Sequence, residues 1–136
     1  MDKRMEIALL DCPVGLERAH FRDQNLYIVI FAVLSNYDFN ETVPFHVANI
    51  RNFQPEAPIL LVGTKSDLRG KNTLHEEKEI DVNRIEEMVR STGAIGYVEC
   101  SSVTGRGVRK VLDFALQELL KREELPASHK KACATM

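Results

Sequence analysis

The sequence lacks most of the features that mark specialised classes of protein. It has no tryptophan and only three cysteines in 136 residues. No apolar run approaches the ~20 residues that a transmembrane helix needs. Cys12, Cys100 and Cys133 are far apart in the sequence, odd in number and without the spacing of metal ligands. These features argue against a disulfide scaffold, a zinc module and a spanning helix, and they favour a reducing compartment.

Excess charge of either sign is also missing. The net charge is −2, and no basic stripe recurs along a predicted helix, so nothing indicates a nucleic-acid partner. The apolar fraction of 44% and the charged fraction of 28% are typical of a globular protein. A chain of this length can bury a core as one domain.

Four apolar runs predict buried strands, at Met5–Leu10, Leu26–Val33, Ile59–Gly63 and Tyr97–Cys100. The second run, LYIVIFAV, is almost continuously apolar and rich in β-branched residues. Strands buried on both faces have this composition, which favours a parallel sheet covered by helices.

Helical patterns lie between the predicted strands. Asp81 predicts the start of one helix and Gly93 its end. A longer helix is predicted after Gly107, because apolar residues recur there at i, i+3 and i+4 spacing. From Asp38 to Phe53 the pattern is weaker, and Pro44 limits where a helix can begin. Alternating strands and helices predict an α/β fold.

The clearest motif is Thr64-Lys65-Ser66-Asp67-Leu68, which directly follows the third predicted strand. Ligands in open α/β sheets bind at the carboxyl ends of the strands, so this turn is well placed for a site. A carboxylate here can accept hydrogen bonds from guanine N1–H and its exocyclic amine, a pair that adenine does not offer. The lysine stem can lie along the base. Taken alone, a TKxD motif is more often a solvated turn.

A second motif, Tyr97-Val98-Glu99-Cys100-Ser101-Ser102-Val103-Thr104, ends the next strand. Together the two motifs resemble the Rho family of Ras-like small GTPases over nearly the whole chain. In that family the first motif recognises guanine, and the second donates a backbone N–H to guanine O6. Ser102 replaces the usual alanine, a mild departure because the contact is made by backbone. The guanine-binding residues that the resemblance implies are Thr64, Lys65, Asp67, Leu68, Ser101, Ser102 and Val103.

The stretch between Asp67 and Tyr97 is longer than in Ras-type relatives. Its sequence GKNTLHEEKEI stands where the Rho family has an extra charged helix, here shortened. Without the flanking motifs, a solvated polar loop would be the preferred interpretation.

The phosphate-binding features of the family are absent. No G-x-x-x-x-G-K-[ST] motif occurs, and the chain begins at what matches the third family strand. Asp11 corresponds to the magnesium-linked aspartate, but Gly15 stands one place late, and Leu16 replaces the glutamine that orients the attacking water. The resemblance implies GTP or GDP with Mg²⁺ as ligands, and these departures predict weak or absent binding. We assign no catalytic residue and no metal ligand.

The resemblance also predicts an incomplete sheet. In the family, the missing first strand lies between the third and fourth strands. We therefore expect an incomplete P-loop-GTPase-like, three-layer fold, with a mostly parallel sheet of about four strands flanked by helices. Either Met5–Leu10 closes against Leu26–Val33, or the chain needs a partner. A truncated isoform, a wrong gene start and genuine degeneracy all fit the sequence.

The chain ends Cys133-Ala134-Thr135-Met136, which fits C-a-a-X prenylation with a farnesyl group. The preceding Lys130 and Lys131 add a weak second membrane signal. Pro126 prevents continuation of the last helix. We expect a partial Rho-type domain over 1–125 and a flexible tail over 126–136 that attaches a cytoplasmic protein to membranes.

These observations favour a Rho-type GTP-binding signalling protein, a class that regulates the cytoskeleton, with impaired nucleotide binding and hydrolysis. The alternative is a prenylated pseudo-GTPase that acts as an interaction module without a nucleotide cycle. A nonfunctional fragment is a third interpretation. The partners implied are guanine nucleotide, Rho-type regulators or effectors, a prenyltransferase and the membrane.

Overall fold

The computed structural model describes residues 6–12, 24–71 and 78–122, together with the backbone of 131–135. Within these ranges the chain forms five strands and three α-helices. The strands are β1 (Ala8–Cys12), β2 (Leu26–Ala32), β3 (Ile59–Thr64), β4 (Gly96–Glu99) and β5 (Lys131–Thr135). The helices are α1 (Val43–Phe53), α2 (Val82–Thr92) and α3 (Val108–Lys121).

The five strands form one sheet in the order β1-β5-β2-β3-β4. Every pair of neighbours is parallel. The predicted α/β class and parallel sheet are therefore confirmed. The four predicted strands are all present, with bounds that agree or differ by up to three residues.

The fifth strand corrects the prediction for the tail. Residues 126–136 were expected to be flexible, yet Lys131–Thr135 pairs with β1 on one side and β2 on the other. The gap next to β2 is therefore closed by the chain itself, neither by β1 nor by a partner. The physical reason is that the backbone groups of Leu26–Val29 need hydrogen-bond partners, and a short extended segment of almost any composition supplies them.

The helices begin and end where local signals place them. The Asp81 side chain accepts a hydrogen bond from the Asn83 N–H and caps α2, and Gly93 ends that helix with a φ of 68°. A π-helical turn, Asp38–Thr42, leads into α1, which carries Pro44 in its first turn. The last helix, α3, ends at Lys121, while Pro126 lies outside the described residues.

Helices cover β2 and β3 on both faces and produce two hydrophobic clusters. The cluster on one face joins these strands to α1 and α2 and includes Tyr27, Val29, Phe31, Ile50, Ile59, Leu61 and Ile85. The cluster on the other face includes Leu26, Ile28, Leu60, Val62, Val98, Ala115 and Leu119, the last two from α3. This is the three-layer arrangement that the sequence predicted. Across the described part of the chain, no helix is long and apolar enough to cross a membrane.

Candidate functional site

The TKxD turn lies at the carboxyl end of β3, beside the turn that follows β4. Thr64 is the last residue of β3, and Ser66–Leu68 form one 3₁₀ turn. Lys65 between them has a φ of 60°, the left-handed region that lysine rarely adopts. The Ser66 N–H donates to the Cys100 carbonyl at 3.2 Å, which ties the turn to the second motif. The two motifs are thus held together by backbone.

A side-chain contact joins the two motifs directly. Ser101 is fully buried, and its Oγ donates a hydrogen bond to Asp67 Oδ1 at 2.8 Å. The Thr104 N–H donates to the same hydroxyl at 3.2 Å, so the serine itself is held in place. Among the described residues, no hydrogen bond engages Asp67 Oδ2. The carboxylate is therefore oriented through one oxygen and keeps acceptor capacity on the other.

The turn after β4 presents backbone rather than side chains. The Cys100 N–H donates to the Gly63 carbonyl at 2.8 Å, and the Ser101 N–H donates to the Arg106 carbonyl at 2.9 Å. In the described part of the chain, the Ser102 N–H makes no hydrogen bond, and Ser102 is exposed. An unengaged N–H at this position is what the predicted contact to guanine O6 requires. Val103, also predicted in the site, is 81% exposed.

A charged network beneath the turn was missed by the sequence analysis. The Arg69 guanidinium donates to both carboxylate oxygens of Glu99, at 2.7 and 2.8 Å. A further nitrogen of Arg69 donates to the Ile80 carbonyl at 3.0 Å, and the Tyr97 hydroxyl donates to Glu99 Oε2 at 2.7 Å. The sequence signal that could have predicted this ion pair is the basic Arg69 shortly after β3 and the acidic Glu99 at the end of β4. The network joins the two strand ends.

Burial and the network shift three pKa values. The hydrogen bond that Arg69 donates to the Glu99 carboxylate raises the pKa of Arg69, while desolvation opposes it. Burial, followed by the Glu99 carboxylate, raises the pKa of Tyr97 well above its usual value. Burial also raises the pKa of the Cys100 thiol, which disfavours the thiolate that a nucleophile needs. The hydrogen bonds and the pKa shifts of Arg69 and Tyr97 together indicate a structural network around Glu99.

Two glycines permit this close arrangement. A Cβ on Gly63 would collide with the Tyr97 hydroxyl and the Val33 side chain. A Cβ on Gly107, whose φ is 78°, would collide with the Glu99 carbonyl. An open depression of about 820 Å³ lies beside the turns, lined by Ser66, Asp67, Arg69, Glu99, Thr104, Gly105, Arg106, Gly107 and Lys110.

Few of the residues predicted to lie near phosphate and Mg²⁺ are among those that the structure describes. Asp11 lies near the end of β1 and is exposed, while Gly15 and Leu16 lie outside the described residues. Among the residues that the structure describes, no group of three His, Cys, Asp or Glu side chains is placed to hold a metal ion. Cys133 lies at the middle of β5, in register with Leu10 and Tyr27. Its predicted prenylation remains a prediction.

Comparisons with known proteins support the family that the two motifs predicted. The model of the Ras family matches residues 14–121, a range that contains both motifs. The chain is 30% identical over 140 residues to the GTP-binding protein RHO1 of Candida albicans, a match that covers 95% of this chain and 71% of that protein.

Proposed function

The chain belongs to the Ras family, as a Rho-like small GTPase, and on that premise we propose that its 136 residues recognise guanine but hold the nucleotide weakly. Members of the family bind GTP or GDP with Mg²⁺. The proposed role is that of a Rho-type signalling protein whose nucleotide cycle is impaired. Thr64, Lys65, Asp67, Leu68, Ser101, Ser102 and Val103 are the proposed guanine-binding residues.

The observation that carries this proposal is the contact between Asp67 and Ser101. Ser101 Oγ orients the Asp67 carboxylate at 2.8 Å, at the ends of two adjacent strands. Guanine presents two N–H groups side by side to such a carboxylate, whereas adenine presents an acceptor at N1. An aspartate already oriented loses little further entropy on binding.

Weak affinity is proposed because phosphate contacts supply much of the binding energy of a nucleotide. Charge-assisted hydrogen bonds are worth about 1.5–3 kcal/mol each, and each ~1.4 kcal/mol lost weakens binding tenfold. The 136 residues contain no G-x-x-x-x-G-K-[ST] motif, and the strand position between β1 and β2 is taken by Lys131–Thr135. Mg²⁺ needs several oxygen ligands, and Asp11 alone does not provide them. The described residues therefore fit the base and do not fit the phosphates or the metal ion.

Nucleotide extraction and titration test the proposal. We expect the purified chain to carry no stoichiometric GDP and to bind guanosine nucleotides weakly, in preference to adenosine nucleotides. Asp67→Ala should abolish that preference. The matched control is Asp81→Ala, which removes a carboxylate from the α2 cap and should leave base preference unchanged. Near-stoichiometric GDP in the purified protein would contradict the weak-binding proposal, and equal binding of both bases would contradict guanine recognition.

Hydrolysis of GTP is expected to be negligible, even with a Rho-type activating protein. Leucine has no group that can orient water, and Leu16 stands where the family has glutamine. A phosphate-release assay with and without the activating protein measures this directly. Clear stimulated turnover would show that the alignment of Leu16 is wrong.

A second candidate function is a nucleotide-free interaction module that is prenylated at Cys133. The absence of a need for nucleotide is favoured by β5, because a sheet completed by the chain's own tail needs no nucleotide to assemble. Prenylation of Cys133 would require the same tail to leave the sheet. The proposed location is the cytoplasm with attachment to membranes through the farnesyl group. The tail region 126–136 would act as the anchor and 1–125 as the partial GTPase domain.

Intact-mass measurement of protein from eukaryotic cells tests the anchor. We expect a farnesyl adduct on Cys133 with loss of the last three residues, and partial, salt-sensitive membrane binding because the basic flank is small. Cys133→Ser should move the protein to the cytosol, while Cys100→Ser, the matched control, should not. An unmodified Cys133 would refute this part of the proposal.

A further inference from the structure

The first strand, β1, is attached to the sheet only through the tail strand. Within the described residues, β5 is the single strand neighbour of β1 and separates it from β2. All five residues of β1, Ala8–Cys12, are in register with Lys131–Thr135. On its other side, β5 is in register with Leu26–Val29 of β2. The position of β1 therefore depends on a five-residue segment near the end of the chain.

The same segment contains most of the proposed prenylation motif. Cys133, Ala134 and Thr135 are in register with Leu10, Asp11 and Cys12 of β1. An interior strand has neighbours along both edges, so its backbone is unavailable to any other protein. A modifying enzyme that reads these residues needs them released from the sheet.

We propose that the gap between β1 and β2 is a strand-binding slot for the chain's own tail, and that insertion of Lys131–Thr135 withholds Cys133 from the prenyl-transferring enzyme. The inference rests on the proposed function only for the prenylation of Cys133; the slot itself rests on the strand order. Insertion and lipidation are then mutually exclusive states of one segment.

The chemical step requires the released state. The Cys133 thiol loses its proton, its sulfur forms a thioether bond to the first carbon of an isoprenoid diphosphate, and diphosphate leaves with the electron pair of the broken C–O bond. The membrane then holds the lipidated tail away from the slot. Because β1 has no other strand neighbour in the described chain, lipidation releases β1 as well, and membrane attachment becomes coupled to opening of this half of the sheet.

Farnesyl transfer to the full chain, compared with transfer to a synthetic peptide of residues 124–136, tests the competition. If the tail is inserted in roughly nine-tenths of the molecules, kcat/KM for the full chain is about tenfold below that for the peptide. Ala132→Pro removes a backbone donor from the strand and leaves the last four residues unchanged. It should bring the full chain to within about twofold of its own matched peptide.

Ala132→Val is the matched control, because it alters the same position while keeping the backbone donor and favouring strand geometry. It should retain the difference between chain and peptide. Equal rates for the unsubstituted chain and its peptide would overturn the inference while leaving prenylation standing. A peptide that is not modified would overturn the prenylation proposal and the competition with it.

Amide hydrogen exchange of the full chain tests whether the tail occupies the slot, without a lipid-transfer reaction. The amides of Ala8–Cys12 that point toward β5 should be protected in the unmodified chain and should exchange rapidly after farnesylation or in Ala132→Pro. Amides of β3 should stay protected in every case and serve as the internal control. Rapid exchange of the β1 amides that point toward β5 in the unmodified chain would overturn the slot.

Discussion

Strands β3 and β1 are both short, apolar and parallel to their neighbours, yet they lie in different environments. The first four residues of β3, Ile59–Val62, are all buried, with strands on both edges and helices on both faces. In β1, Cys12 is buried but Leu9 is 61% exposed, and β5 is the one neighbouring strand in the described residues. The apolar run alone does not bury a strand; neighbouring strands and covering helices do.

This difference separates the two halves of the proposed site. The turns proposed to bind guanine follow β3 and β4, in the part of the sheet that helices cover on both faces. Asp11, the one described residue of the predicted phosphate and magnesium motif, lies on β1, where it is exposed. The turns after β3 and β4 follow strands that are packed on both faces, whereas β1 depends on the tail for its strand pairing. The predictions below test this contrast.

Truncation of one leucine in β3 and one in β1 should give the largest difference in the free energy of unfolding. Leu61→Ala leaves a cavity in a fully buried cluster and should lower the free energy of unfolding by about 2–5 kcal/mol. Leu9→Ala removes a mostly exposed side chain and should change it by less than about 0.5 kcal/mol. Urea denaturation of both variants measures this, and similar losses would show that β1 is as well packed as β3.

Loss of the network between the two strand ends should have the next largest effect. Glu99→Ala removes the two charge-assisted hydrogen bonds of Arg69 to a carboxylate, in a site where both side chains are about three-quarters buried. Among the described carboxylates, it leaves Arg69 only a longer ion pair with Glu79, at 3.8 Å. We expect a loss of about 1.5–3 kcal/mol in the free energy of unfolding. The control is Asp113→Ala, which removes an exposed i,i+4 partner of Arg109 and should have no measurable effect. Equal stability of the two variants would contradict a structural role for the network.

The cap of α2 should contribute less. Asp81→Ala removes the acceptor for the Asn83 N–H at 2.7 Å and should destabilise the protein by about 1 kcal/mol. Since Ile85 of this helix packs in the cluster over β3, its amide exchange should rise in parallel. Glu86→Ala, an exposed substitution in the same helix, is the control. A loss from Glu86→Ala as large as that from Asp81→Ala would show that the cap is not the cause.

The smallest effect is expected from the Tyr97 hydroxyl and should depend on pH. At neutral pH, Tyr97→Phe removes one hydrogen bond, but Glu99 keeps its ion pair with Arg69. The free energy of unfolding should therefore fall by less than about 1 kcal/mol. Folding raises the pKa of Tyr97, so the unfolded chain loses this proton first. The stabilisation that Tyr97 gives relative to phenylalanine is therefore complete below pH ~10 and is lost as the pH rises above that value.

Denaturation of both proteins between neutral and alkaline pH measures this trend. The difference between the unsubstituted chain and Tyr97→Phe should shrink above pH ~10. Tyr37→Phe, at a position 73% exposed, is the control and should change the free energy of unfolding by less than about 0.5 kcal/mol. A Tyr97 difference that grows with pH would contradict the direction of the shift.

Local patterns in the sequence determined most of the part of the molecule that contains β2, β3, β4 and the helices that cover them. The run LYIVIFAV predicted a strand buried on both faces, and Asp81 and Gly93 predicted the two ends of α2, because caps and burial patterns act over a few residues. The proximity of Asp67 and Ser101 followed from two motifs that end successive strands. The family, and with it the parallel α/β fold, was recognisable from those motifs.

Only the tertiary structure decided how the other half is completed. Lys131–Thr135 carries no pattern that predicts a strand, and its place between β1 and β2 results from backbone hydrogen bonding, which depends little on side chains. The ion pair of Arg69 with Glu99 joins residues 30 positions apart. The left-handed Lys65 likewise depends on the turn around it. Local sequence specifies local geometry, but the pairing of distant segments is selected by the backbone groups and charges that the assembled fold leaves without partners.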